Sequence, residues 1–423
     1  MANCFFSADI MLPRFKDDKE KMNKWATVAC DQYTSEADYW NAVEAKVADN
    51  PSALRITLPE IYLGDRDDER IAKINQTMVD YTENILATYP DSMIYLERKL
   101  ADGRVRLGLI GMIDLDEYDY NKGATTLVRA TEGTVLSRIP PRVKIRRGAT
   151  VELPHIMMLI DDPEKTVIEP LTAKKASLEN AYSFELMQNG GYVDGYFVDA
   201  DSKAKIGAAL EKLSDIDAYN KKYGINEKSP MLFAVGDGNH SLASAKALYE
   251  EIKAEIGAEE AKNHSARYAL CEIVNIHDDA LEFEPIYRVV FDTDVDKMTA
   301  ALKEYAKADK GGKNSFDIEC VSANRSEIVK IENSANELAV GALQDFIDAY
   351  LKENAGEVDY IHGVGSTKTL AAKENAIGFL FDGMGKDELF KSVIINGSLP
   401  RKTFSMGEAD DKRYYLEARK IVK

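Results

Sequence analysis

The stretch that most constrains this chain is 231–256, MLFAVGDGNHSLASAKALYEEIKAEI. Met231-Leu232-Phe233-Ala234-Val235 is an apolar run of strand length. Gly236-Asp237-Gly238-Asn239-His240-Ser241 follows, and two glycines with an asparagine predict a sharp turn. Ala245, Leu248, Tyr249, Ile252 and Ile256 then recur at helical spacing. Strand, tight loop and helix start point open N–H groups and the positive end of a helix dipole at one place, which suits an anion. The glycines let backbone approach a ligand. Asp237, Asn239 and Ser241 are also ordinary helix caps. A cap needs one polar side chain, however, and here an acid, an amide, an imidazole and a hydroxyl fall within five residues, so a ligand site is the preferred reading.

The remaining pattern alternates strands and helices, which argues for an α/β fold. At 423 residues the chain is long enough for two or three lobes. A boundary is expected near residue 292, giving a core over 1–292 and a C-terminal α/β lobe over 293–423. Helices are expected over 36–47, 67–87 and 173–188, and over 202–223 with a break near Asp215. Strands are expected at 54–58, at 192–198, and at 93–100 and 105–113 across an Asp102-Gly103 hairpin signal. The net charge of −18 argues against binding nucleic acid through a basic surface. Four cysteines without a CxxC pair fit reduced thiols and a cytoplasmic location, and no apolar run approaches membrane-spanning length.

Against that acidity, 127–147 (LVRATEGTVLSRIPPRVKIRR) is conspicuously basic. Pro140, Pro141, Gly133 and Gly148 predict a loop. Arginines around the lone acid Glu132 could clamp phosphate while leaving a general base. Arg142, Lys144, Arg146 and Arg147 read as surface or pairing residues. His155, beside Pro154, reads as structural.

Asp237-Gly238-Asn239-His240-Ser241 resembles the Asp-Gly-His-His-Arg loop of the family catalogued as domain of unknown function 1015, itself similar to loops of ParB-like and sulfiredoxin-like proteins. Further segments fall in the family's order: Val28-Ala29-Cys30-Asp31-Gln32-Tyr33, Thr131-Glu132-Gly133-Thr134 with Arg138 after it, Glu284-Pro285-Ile286-Tyr287-Arg288, His362-Gly363 and Pro400-Arg401-Lys402-Thr403. The resemblance implies a ParB-like mixed α/β catalytic core. It also implies a free-serine kinase, making O-phosphoserine from L-serine with pyrophosphate, or second ADP, as donor. Under it Glu132 is the general base. Gly238, Asn239, His240 and Ser241 at the helix start, with Arg138 and Arg288, hold phosphate. Lys402 and Thr403 close from the C-terminal lobe. Asp237 is either a magnesium ligand or a cap. One departure stands out: the related loops end in arginine, and position 241 is serine, which lacks the bidentate grip. The competing reading is a non-catalytic phosphate or nucleotide sensor. A serine hydrolase using Ser241 with His240 is disfavoured, because no nucleophile-elbow sequence is present. The expected partners are small molecules, with neither nucleic acid nor membrane, and self-association stays open.

Overall fold

In the computed structural model, residues 3–64, 67–134, 137, 139–323 and 325–422 are described. The fold is mixed α/β, and the chain forms two compact units. The first comprises Met1–Leu281 with Glu408–Lys423, the second Glu282–Gly407. The division expected after residue 292 thus moves to 281/282, and the last sixteen residues return to the first unit. The reason is local. Phe283–Phe291 lies between Glu357–His362 and Ile377–Leu380 in the second unit's own sheet, so a cut after it would remove an interior strand.

The first unit is organised on a ten-stranded mixed sheet. Its central strands run, in order, Ile94–Lys99, Val105–Asp114, Tyr268–Asn275, Met157–Ile160, Phe233–Asp237 and Val128–Ala130. The 94–99/105–114 hairpin closes as its turn signal requires, with Lys99 opposite Val105 and Gly103 at φ +90°. Met157–Ile160 and Phe233–Asp237 are buried along most of their length, which explains their near-continuous apolar sequence. Helices form over Ala37–Val47 and Asp67–Asn84 as their periodicity predicts. The 202–223 expectation resolves into Ala200–Leu213 and Ile216–Tyr223, with Asp215 capping the second through the Ala218 N–H.

Three expectations differ. Residues 173–188 hold a short helix, Pro170–Lys174, and then a strand, Glu179–Glu185. There the Tyr182 ring lies over Gly195 of the neighbouring strand, where any Cβ would meet it at 2.5 Å. Residues 54–58 hold a 3-10 turn, Ala53–Arg55, because Ser52 accepts the Leu54 N–H and the Thr57 hydroxyl donates back to the Ala53 carbonyl. The basic segment is a strand, Val128–Ala130, and a helix, Ile139–Arg147, rather than a loop. Pro140 and Pro141 fall in the first helical turn, where a missing N–H costs no bond.

The second unit carries a six-stranded sheet in the order Arg325–Ser334, Asn314–Ser322, Ile377–Leu380, Phe283–Phe291 and Glu357–His362, with Phe404–Met406 also paired to Phe283–Phe291. No helix of the described residues is long and apolar enough to cross a membrane.

Candidate active site

The strand Phe233–Asp237 runs into the helix Asn239–Ile256 through a single linking residue, Gly238. Gly238 has φ +80°, and a Cβ there would lie 3.0 Å from the Ile156 Cα. Glycine is therefore required twice over, by backbone conformation and by space. Helix geometry leaves the Asn239, His240 and Ser241 amides without an intrahelical acceptor. Asp237 Oδ1 accepts the Gly238 N–H at 2.9 Å, which holds the turn closed.

Neighbouring strands deliver the other groups. Val128–Ala130 runs parallel to Phe233–Asp237 with Ala130 opposite Val235. Half-buried Glu132 follows two residues after that strand ends at Ala130. The Thr131 hydroxyl donates to the Val235 carbonyl at 2.6 Å, and Asn239 Nδ2 donates to Thr131 Oγ1 at 3.3 Å, tying the two strand ends together. On the opposite flank Met157 pairs with Asp237, so His155 enters at the same edge.

His155 is buried, and every polar atom of its ring is engaged. Nδ1 lies 2.8 Å from the Tyr415 hydroxyl. Nε2 lies 3.2 Å from Ser241 Oγ and 3.5 Å from Asp31 Oδ2. Burial pushes the imidazole pKa down. The charge and hydrogen bond of Asp31, then the charges of Asp237 and Glu60, more than offset it and raise the imidazole above its ordinary value. Burial pushes the Asp31 carboxyl up. The charge and hydrogen bond of His155, then Gln32 and Lys412, hold it well below the usual carboxylate range.

Two distant segments make this possible. Tyr414–Tyr415 pairs with Thr27–Val28, and the Ala29 N–H donates to the Arg413 carbonyl at 3.0 Å, so Asp31, Lys412 and Tyr415 arrive together. Lys412 Nζ stands 3.3 Å from Asp237 Oδ2. Underneath, buried Arg413 bonds Glu272 at 2.6 Å, Glu417, and the Pro154 carbonyl at 3.1 Å, fixing the segment to the sheet.

Of the sequence-predicted residues, Asp237, Gly238, Asn239, His240 and Ser241 form the turn and helix start, and Glu132 follows Thr131, whose hydroxyl accepts from Asn239 Nδ2. The structure adds Asp31, His155, Lys412 and Tyr415. His155, read as structural, holds the Ser241 hydroxyl in place. The signal for Asp31 was present in the Cys30-Asp31-Gln32 segment. Lys412 and Tyr415 carried none, because only strand pairing with 27–28 places them. Arg138 lies outside the described residues. The described basic side chains of the segment have protein partners. Arg129 is buried and donates to the Thr126 and Ser229 carbonyls, while Arg142, Lys144, Arg146 and Arg147 pair with Glu60, Asp68, Glu152 and Glu251.

Arg288, Lys402 and Thr403 belong to the second unit. Arg288 is buried and directs its guanidinium to the Ile286, Lys402 and Arg401 carbonyls and to Gln344. The Thr403 hydroxyl donates to the Pro400 carbonyl at 2.6 Å. Arg288 and Thr403 thus brace the 400–403 turn. Lys402 is exposed with φ +56°. Two separated motifs, 284–288 and 400–403, are accounted for by this one brace.

For magnesium, Asp237 offers a single carboxylate already bonded to its own loop and to Lys412, and no group of three His, Cys, Asp or Glu able to hold a metal occurs among the described residues. That fits the way magnesium is held alongside phosphates, by one or two carboxylates with water and phosphate oxygens completing the octahedron.

A family model, "Protein of unknown function (DUF1015)", matches residues 13–420. The chain belongs to this family. Among curated proteins no sequence matches it. Of the solved structures, a free serine kinase in complex with AMP is 11% identical, with a TM-score of 0.38 over 74% of this chain and 90% of that one. A mutant free serine kinase in complex with ADP gives 11% and 0.39 over 75% and 93%. A conserved hypothetical protein from Pyrococcus furiosus gives 12% and 0.36 over 74% and 94%. Likenesses this distant decide none of the chemistry of the site.

Proposed function

We propose that this DUF1015 protein is a small-molecule phosphotransferase, moving a phosphoryl group from pyrophosphate, or second ADP, to the hydroxyl of free L-serine. One observation carries the reading. A helix amino terminus lies at the end of a buried strand, and two carboxylates, an imidazole and an ammonium meet around it. Backbone amides there bind a phosphate's charge. Glu132, next to Thr131 at the helix start, is the general base. As the serine oxygen bonds to phosphorus and the bond to departing orthophosphate breaks, the serine proton passes to the Glu132 carboxylate. His155 holds Ser241 in place, so the first helical turn stays set before the ligand arrives. Asp237 would hold magnesium, which would neutralise phosphate charge when bound. Pyrophosphate is preferred because the sequence carries no adenine-specific signature.

Phosphorus NMR on the purified chain with magnesium, L-serine and pyrophosphate tests this. Phosphoserine and orthophosphate should grow together. Product with ADP or ATP alone would change the donor. Phosphate binding with no product from any donor would leave a sensor.

A further inference from the structure

The helix start at 239–241 faces a problem of charge. Among the described residues paired there, Asp31 and Asp237 are balanced by His155 and Lys412, so these four groups carry no net positive charge toward an incoming phosphate. His155 cannot move to one, since its ring is locked between Tyr415, Asp31 and Ser241. Arg142 pairs with Glu60, and Arg413 is held beneath by Glu272 and Glu417. Lys412 differs. Its backbone is fixed, with the N–H donating to the Ala409 carbonyl and the carbonyl accepting from Arg98 Nη1 at 2.7 Å. Its ammonium, at the end of a four-carbon stem that is only 10% exposed, meets Asp237 Oδ2 at 3.3 Å, one carboxylate away from the first helical turn.

We propose that Lys412 is a phosphate-binding residue of this site: its ammonium turns from Asp237 to the ligand's phosphate oxygens, supplying the cation that Ser241 does not. The inference rests on the functional reading above and deepens it. A point charge with three rotatable donors can contact phosphate while staying near Asp237, which a planar guanidinium bonded at both faces cannot. It also gives Glu408–Lys423 a purpose in the first unit beyond packing.

The test is calorimetric titration of the full chain with pyrophosphate in metal-free buffer. K412M should weaken binding roughly 10- to 100-fold, the range for a lost charged hydrogen bond, and K412R should restore part of it. In assays of phosphoserine formation, K412M should raise KM for pyrophosphate and leave KM for serine in place, a split that a structural lysine would not produce. D237N removes the carboxylate that competes for Lys412 and should tighten pyrophosphate binding. Wild-type affinity in K412M overturns the proposal. If K412M does not fold, D237N decides: unchanged or weaker binding overturns it. A wild-type chain that binds neither pyrophosphate nor ADP sinks the functional reading itself, whereas binding that ignores Lys412 sinks only this inference.

Discussion

The segment 127–147 and the loop 237–241 hold opposite positions in sequence and in structure. The first concentrates positive charge in an acidic chain, and there each of Arg142, Lys144, Arg146 and Arg147 meets a carboxylate. The second carries one full charge of its own, yet it draws Asp31, His155 and Lys412 around a helix start. Density of charge in sequence measured how much charge a region has to satisfy. What marks a site is charge and dipole left pointing at one volume after the fold has satisfied the rest.

The sharpest way to break the comparison is Glu132→Gln. Glu132 belongs to the basic segment by sequence and adjoins Thr131, which is bonded to Val235 and Asn239 of the loop region. As general base it should lower turnover roughly 100- to 10,000-fold while pyrophosphate binding holds. Full turnover in the variant would remove Glu132 from the mechanism and return the 127–147 segment to a purely structural part. Gly238→Ala comes next. A non-glycine residue at φ +80° costs about 1–2 kcal/mol, and the new Cβ meets Ile156 at 3.0 Å. A lower melting temperature and weakened phosphate binding are expected together. A stable variant with intact binding would show that the turn is not what aims the amides.

The third test uses pH. His155 has its pKa raised above its ordinary 6.5 and Asp31 has its lowered below 3.8. A raised group stabilises the fold fully below its unfolded value and loses that contribution as pH climbs through its folded value. A lowered carboxylate stabilises above its unfolded value and loses it as pH falls toward the folded one. The pair therefore contributes most between about pH 4 and 6.5, and its contribution declines above that. Melting temperature followed from pH 6 to 9 should fall less steeply in His155→Gln than in wild type. Parallel curves would mean that His155 is neutral in the folded chain.

Local pattern made much of this fold legible. The 231–256 unit, the 94–114 hairpin and the break at Asp215 follow from apolar spacing, glycine and capping chemistry that act within a few residues. The misreadings came where tertiary context overrode that pattern. Tyr182 lies across Gly195 and makes 179–185 a strand, and Pro140 and Pro141 start a helix where they were expected to prevent one. The site divides in the same way. Asp237, Gly238 and Ser241 are contiguous and so were visible. Lys412 and Tyr415 reach them through a two-residue pairing with 27–28, nearly 400 residues away in sequence, and no local signal encodes that. Arg288 shows the converse: a motif arginine that reads as an anion ligand directs donors to carbonyls of its own unit.

The smallest expected effect is the control that the comparison needs. Arg147 sits in the densest run of positive charge, yet its partner Glu251 lies 2.9 Å away with both side chains about half exposed. Exposed pairs of this kind contribute about 0–1 kcal/mol, because water screens the attraction and two long side chains lose freedom. Arg147→Ala should therefore shift the melting temperature by a few degrees at most and leave pyrophosphate affinity where it was. The same titration that reads K412M reads this variant. If Arg147→Ala weakened pyrophosphate binding as much as K412M, the phosphate would be held by the field of the basic helix rather than by the loop, and the contrast between the two regions would collapse.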